Sequence, residues 1–176
     1  MKKWEDFAQT AFDSMKASLY RWTPDASPST IRSLTRLLYD QVFCCGEPNK
    51  TGYISLEAME NKKNKKSVCT DHCLSPQFVA RMIYDNPDVW LNDFEKFKVL
   101  FYQCCLTIKV TSEENTKLSK LTENVNGNFT VHVPTHMKYD YLGIKLFHPE
   151  RGFVNNIFDE LVPPELVEYE EKYLVK

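Results

Sequence analysis

The spacing of apolar residues changes along the chain, and this change limits the fold more than any other feature. Between residues 3 and 20 the apolar side chains recur every three or four positions, the period of a helix. They are Trp4, Phe7, Ala8, Ala11, Phe12, Met15 and Leu19. Residues 106–111 (LTIKVT) instead alternate and are rich in β-branched side chains, which indicates a strand. The sequence therefore predicts an α+β fold.

Helix-capping signals place further helices around that strand. The predicted helix starts are Ser29 or Thr30, Ser75 before Pro76, and Thr111 or Ser112. Another apolar repeat predicts a helix over about residues 92–102. A short strand is expected at residues 52–56 and a hairpin around Asn126-Gly127, whereas the lysine cluster at residues 62–66 is typical of an exposed loop.

Composition excludes several classes of protein. A chain of 176 residues with 43% hydrophobic residues can bury a core, and one domain with extensions is the simplest expectation. The net charge of −2 gives no overall basic field, so nucleic-acid binding would have to use local patches. No segment has the apolar character of a signal peptide or a membrane span. We therefore expect a soluble, cytoplasmic protein with no membrane partner.

Two short segments carry the chemistry. Residues 67–76 (SVCTDHCLSP) end a β-prone run in Asp71-His72, and residues 110–118 (VTSEENTKL) open a capped helix that contains Asn115. Taken together, these segments resemble the HNH, or ββα-metal, nuclease superfamily, and most closely its endonuclease VII-like branch. The resemblance covers residues 44–121 and implies a ββα-metal core. The helices of residues 76–102 would be an insertion in this core. Residues 1–43 would form a helical N-terminal segment, and residues 122–176 an α+β extension.

The resemblance implies a role for each residue. His72 would be the general base that deprotonates a water molecule, because a neutral imidazole near pH 7 suits that task. Asp71 and Asn115 would hold Mg²⁺ or Mn²⁺, since both supply oxygen ligands. Adjacent residues on a regular strand point to opposite faces, so Asp71 and His72 can share a site only if the strand ends or bends there. A histidine is expected near Thr122 and Glu123 in the family, and this chain has none there.

The six cysteines leave two interpretations open. They occur as Cys44-Cys45, as Cys69 with Cys73, and as Cys104-Cys105, and none of these spacings forms a CxxC motif. Without disulfides they are either metal ligands or buried thiols. Many relatives carry a structural zinc, for which the resemblance implies Cys44, Cys45, Cys69 and Cys73. A redox-active cysteine protein is a weaker alternative.

The predicted function is metal-dependent cleavage of double-stranded DNA. The predicted DNA contacts are Lys62, Lys63, Lys65, Lys66, Arg81, Lys117 and Lys120. Low glycine content and abundant Lys, Asn and Tyr favour a phage source, and hence a homing endonuclease acting in a bacterial host. An endonuclease VII-like Holliday junction resolvase and a non-catalytic, zinc-stabilised DNA-binding module stay open as alternatives. A homodimer also stays open, because resolvases and palindrome cutters use twofold symmetry.

Overall fold

The protein combines helices with short strands. The computed structural model describes residues 3–45, 50–125, 128–154 and 161–175. The helices are α1 (Trp4–Ser18), α2 (Pro28–Cys44), α3 (Leu56–Lys63), α4 (Pro76–Asp85), α5 (Pro87–Trp90), α6 (Phe94–Cys104), α7 (Ser112–Leu118), α8 (Lys138–Tyr141) and α9 (Pro164–Glu171). The strands are β1 (Lys50–Ser55), β2 (Cys69–His72), β3 (Thr107–Val110), β4 (Thr122–Val125), β5 (Asn128–Val131), β6 (Leu146–His148) and β7 (Gly152–Val154). Two 3₁₀ turns, Leu19–Arg21 and Thr135–Met137, complete the described elements. The α+β class is therefore confirmed.

Two compact units divide the chain differently from the predicted domains. Residues 1–48, 74–105 and 124–129 form what we call the helical unit. Residues 49–73, 106–123 and 130–176 form the sheet unit. The predicted N-terminal segment and the predicted insertion thus belong to one unit, because α1 packs on α6 and α2 packs on α4. Long-range apolar contacts of this kind are not visible in the spacing of residues along the chain.

The helical unit buries the apolar stripe predicted for α1. Ala8, Ala11 and Met15 are fully buried, and the Phe12 ring lies 5.3 Å from the rings of both Phe94 and Phe97. The second helix begins at Pro28, and its N-cap is Ser27, whose hydroxyl accepts a hydrogen bond from the Thr30 N–H. The predicted caps, Ser29 and Thr30, therefore lie two and three residues too late. Proline at the first helical position explains the earlier start.

A five-stranded sheet forms the centre of the sheet unit. Its strand order is β2-β3-β1-β6-β7, with β1 parallel to β3 and the other neighbours antiparallel. One face of the sheet is buried and carries Tyr53, Ser55, Ile108, Val110 and Leu146. Strands β4 and β5 pair separately, in agreement with the predicted hairpin, although its Asn126-Gly127 turn lies outside the described residues.

Helix α3 was not predicted. It places Lys62 and Lys63 in its last turn, where the loop was expected, and Ser55 caps its start. Its apolar residues form no clear stripe, so their spacing contains no periodic signal for a helix. Within the part of the chain that the structure describes, no helix combines the length and apolar character needed to cross a membrane.

Candidate functional site

The residues of the predicted metal site lie around β2, β3 and α7 of the sheet unit. In the antiparallel pair β2–β3, Asp71 is opposite Ile108 and His72 is opposite Thr107. Strand β2 ends at His72 and a bend follows at Cys73 and Leu74, although the Cys73 N–H still donates to the Leu106 carbonyl at 2.9 Å. Because Asp71 and His72 are both paired within β2, their side chains lie on opposite faces of the sheet. The strand therefore ends beside the predicted site, but the bend comes after His72 and not between the two residues.

The Asp71 carboxylate is engaged by two side chains that the sequence did not link to it. The Lys138 ammonium donates to Asp71 Oδ2 at 2.7 Å and to the His72 carbonyl at 2.8 Å. The Tyr139 hydroxyl donates to the same carboxylate oxygen. Lys138 and Tyr139 are 9% and 2% exposed, respectively. The carboxylate charge is therefore already balanced by a buried ammonium group, as buried charges in proteins generally are.

Burial governs the titration of the groups around Asp71. Desolvation raises the pKa of Tyr139 well above its usual value, and the nearby Asp71 charge raises it further. Burial also raises the pKa of the Cys73 thiol, to about 12, although the Lys138 charge opposes this shift. The Tyr139 phenol and the Cys73 thiol are therefore neutral at pH 7, and neither is a ready nucleophile.

The surroundings of His72 favour the neutral form of its imidazole at pH 7. Desolvation lowers its pKa from the usual 6.5, and the Lys138 ammonium lowers it further, against the opposing effect of Asp71. A neutral imidazole is the form that a general base requires. The protonation state therefore fits the predicted role of His72, whereas its position on the face opposite to Asp71 does not.

Helix α7 lies near the Asp71 face of β2. Its N-cap is Thr111, one of the two predicted caps, in a capping box with Glu114. One Glu114 oxygen accepts from the Thr111 N–H at 2.8 Å and from the Ser55 hydroxyl at 2.6 Å. Burial raises the pKa of both Cys69 and Tyr139, and the Glu114 charge adds a smaller effect in the same direction. Asn115 follows on the same helix and is half-buried, and α7 packs against β2.

A buried ammonium group occupies the Asp71 side of the predicted metal site. Lys138 supplies the positive charge that Mg²⁺ or Mn²⁺ would give to Asp71, so a cation there would have to displace this ammonium group. Among the described residues, no group of three or more His, Cys, Asp or Glu side chains is placed to hold a metal ion.

The four cysteines of the predicted zinc site are divided between the two units. Cys44 and Cys45 belong to the helical unit, and Cys69 and Cys73 to the sheet unit. Cys69 lies on β2, whereas Cys73 lies in the bend that follows this strand. Cys69 donates to the Val110 carbonyl at 3.6 Å, and Cys73 is fully buried.

Two of the predicted DNA-contacting residues are paired within their own units. The Arg81 guanidinium lies 3.8 Å from Asp85 and over the rings of Trp22 and Phe129, so it packs within the helical unit. Lys117 pairs with Glu113 at 2.8 Å on exposed α7 surface.

Another residue of the lysine cluster, Lys66, lies close to acidic side chains. Lys66 lines a cleft of about 650 Å³ together with Glu57, Glu60 and Glu113. These carboxylates would repel phosphate. Lys63, Lys65 and Lys120 are exposed, and Lys65 has a positive φ of 55°.

Lys62 instead lines a smaller pocket that the sequence did not reveal. We call it the lysine pocket; it has a volume of about 160 Å³. It is lined by Lys50, Gly52, Tyr53, Ile54, Lys62, Thr107, Lys109 and Pro149. No acidic residue is among these described lining residues. Gly52 has a φ of +85°, and a Cβ there would lie 2.5 Å from His148 Nε2, so this position requires glycine.

The chain was also compared with known proteins. Neither family models, curated proteins nor solved structures gave a match.

Proposed function

We propose that this protein binds nucleic acid through its sheet unit. The observation that carries the proposal is the lysine pocket, where Lys50, Lys62 and Lys109 converge from β1, α3 and β3. Three lysines from three different elements line this one cavity, and their positive charges would attract a phosphate group. The volume of about 160 Å³ exceeds the roughly 30 Å³ that one water molecule occupies in the liquid, so the pocket has room for a phosphate group.

The charge of the whole chain does not oppose this proposal. A net charge of −2 weakens long-range attraction to nucleic acid, but contact with phosphate depends on the local arrangement of cations. The acidic cleft around Glu57, Glu60 and Glu113 would in turn keep a polyanion away from α7. The proposal therefore assigns the contact to the lysine pocket and not to most of the predicted lysine cluster.

Binding can be tested by fluorescence anisotropy of labelled DNA in EDTA at about 50 mM salt, where phosphate contacts are strong. Wild type is expected to bind, and Lys50→Gln/Lys62→Gln is expected to bind at least about tenfold more weakly, since the phosphate in the pocket loses two of the three lysines that line it. Lys172→Gln is a matched control, because Lys172 is an exposed lysine of the same unit outside the pocket. Equal affinity of the pocket variant and wild type would refute the proposal.

Metal-dependent DNA cleavage is the second candidate function. The supporting observation is the order of the elements: β2 and β3 are antiparallel, and α7, which carries Asn115, follows them directly. This is the succession expected of a ββα nuclease. The balanced charge of Asp71 and the position of His72 weigh against it.

A nicking assay separates cleavage from binding alone. Supercoiled plasmid and a four-way junction would be incubated with Mg²⁺ or Mn²⁺ and with wild type, His72→Ala or Asn115→Ala. Cleavage by wild type that both substitutions abolish would support the nuclease hypothesis, and the junction would distinguish a resolvase. Intact substrates with both metals would leave binding as the function.

A further inference from the structure

One row of side chains crosses the whole sheet. Strand pairing places Thr70 beside Lys109, Lys109 beside Ile54, Ile54 beside Phe147, and Phe147 beside Phe153. Directly paired residues project from the same face of a sheet, so these five side chains share one face. It is the face opposite to the buried one, and the lysine pocket lies on it because Ile54, Lys50 and Lys109 line that pocket.

The far end of this row is an exposed aromatic pair. Phe153 is 65% exposed, and its ring lies 5.5 Å from the half-buried Phe147 ring in an edge-to-face arrangement. Most large apolar side chains of this unit are buried instead, as for Tyr53, Ile108 and Leu146. The sheet therefore has one core face and one opposite face, which we call the open face. The open face is the one that carries Thr70, Lys109, Ile54, Phe147 and Phe153.

The spacing suits a ligand that offers both phosphates and flat apolar groups. Lys109 and Phe153 are separated by three strand spacings, or about 14 Å. Single-stranded nucleic acid presents unstacked bases, which stack on aromatic side chains while lysines contact the backbone. A duplex keeps its bases stacked on one another and offers mainly phosphates to a flat surface.

We infer that the open face of the sheet binds single-stranded nucleic acid, with a base on Phe153 and Phe147 and a backbone phosphate in the lysine pocket. This inference rests on the proposed nucleic-acid binding and specifies its substrate class. The inferred ligand is single-stranded, whereas the sequence motifs predict duplex DNA as the partner. The pairing order of the five strands brings the two kinds of contact onto one face.

Anisotropy titrations with oligo(dT) of about 12 nucleotides and with a duplex of the same length test the inference. Wild type is expected to bind the single strand more tightly. Phe153→Ala is expected to weaken single-strand binding about fivefold or more and to leave duplex binding unchanged, because one stacking contact is lost. Tyr141→Ala is the matched control, since Tyr141 is an aromatic residue of the same unit with the same 65% exposure.

The outcomes separate this inference from the proposed function. If DNA binding depends on Lys50 and Lys62 but Phe153→Ala binds the single strand like wild type, the inference is refuted and the proposed function stands. Duplex binding that equals or exceeds single-strand binding would also refute the inference. If neither form of DNA binds to wild type, the proposed function fails first, and the inference fails with it.

Discussion

The Lys138 ammonium lies 2.7 Å from Oδ2 of Asp71, and the two residues are 67 positions apart in the chain. Both side chains are largely buried, at 11% and 14% exposed, so neither is well solvated. The same ammonium also holds the carbonyl of His72 at 2.8 Å. The pair therefore fixes β2 against the start of α8, at the position where a catalytic carboxylate was predicted.

Removal of Lys138 should strongly destabilise the protein. Lys138→Met leaves the Asp71 carboxylate buried without a counter-charge, which we expect to cost about 3–5 kcal/mol of unfolding free energy. Urea denaturation at pH 7 would measure the change. Lys172→Met, on exposed surface of the same unit, is the control and should have little effect. Adding Asp71→Asn to Lys138→Met should recover part of the loss, and a cost below about 1 kcal/mol for Lys138→Met would contradict the assignment.

Glu114 should matter for stability, whereas its neighbour Glu113 should not. Glu114→Ala removes the acceptor shared by the Thr111 N–H and the buried Ser55 hydroxyl, with an expected loss of about 2–3 kcal/mol. Glu113 is exposed and pairs only with the exposed Lys117 among the contacts described, so Glu113→Ala should change the unfolding midpoint little. Equal midpoints for the two variants would show that Glu114 does not join β1 to α7.

Stability should decrease in mild acid partly because of His72. Its pKa is lowered by burial, so between the folded value and the unfolded value near 6.5 the unfolded chain binds more protons. Stability is therefore present above that window and is lost as the pH falls through it. The unfolding free energies of wild type and His72→Gln should differ by a constant amount above pH 6.5, and wild type should lose stability relative to His72→Gln as the pH falls below 6.5. A His72→Gln profile parallel to wild type would contradict the shift.

The reactivity of the thiols should reflect burial and not metal binding. Cys44 is exposed, whereas Cys73, Cys104 and Cys105 are buried, and burial raises the pKa of each of these three thiols. A thiol reagent at pH 7 should modify Cys44 first and the buried thiols only after unfolding. Added Zn²⁺ should not slow the reaction. Zinc protection of several thiols would restore the metal-binding interpretation.

Local signals predicted much of the secondary structure. The stripe of α1, the alternation of β3 and the Thr111 cap of α7 depend on residues a few positions apart, and the structure has all three. Helix α3 lacks an apolar stripe and was missed. The contacts that decide the site are long-range instead. Lys138 on α8 contacts Asp71 on β2, and the parallel pairing of β1 with β3 brings Lys50 and Lys109 to one pocket. No local pattern encodes either arrangement.

The salt dependence of DNA binding tests the phosphate contacts in the lysine pocket most directly. In EDTA, the slope of log K against log salt should be shallower for Lys50→Gln/Lys62→Gln than for wild type. The expected difference is at most about 0.7 for a single strand and about 0.9 for a duplex, since the pocket holds one phosphate group and weakening this contact reduces the number of counterions released on binding. Identical slopes for the two proteins, or no DNA binding by wild type at low salt, would contradict binding through Lys50 and Lys62.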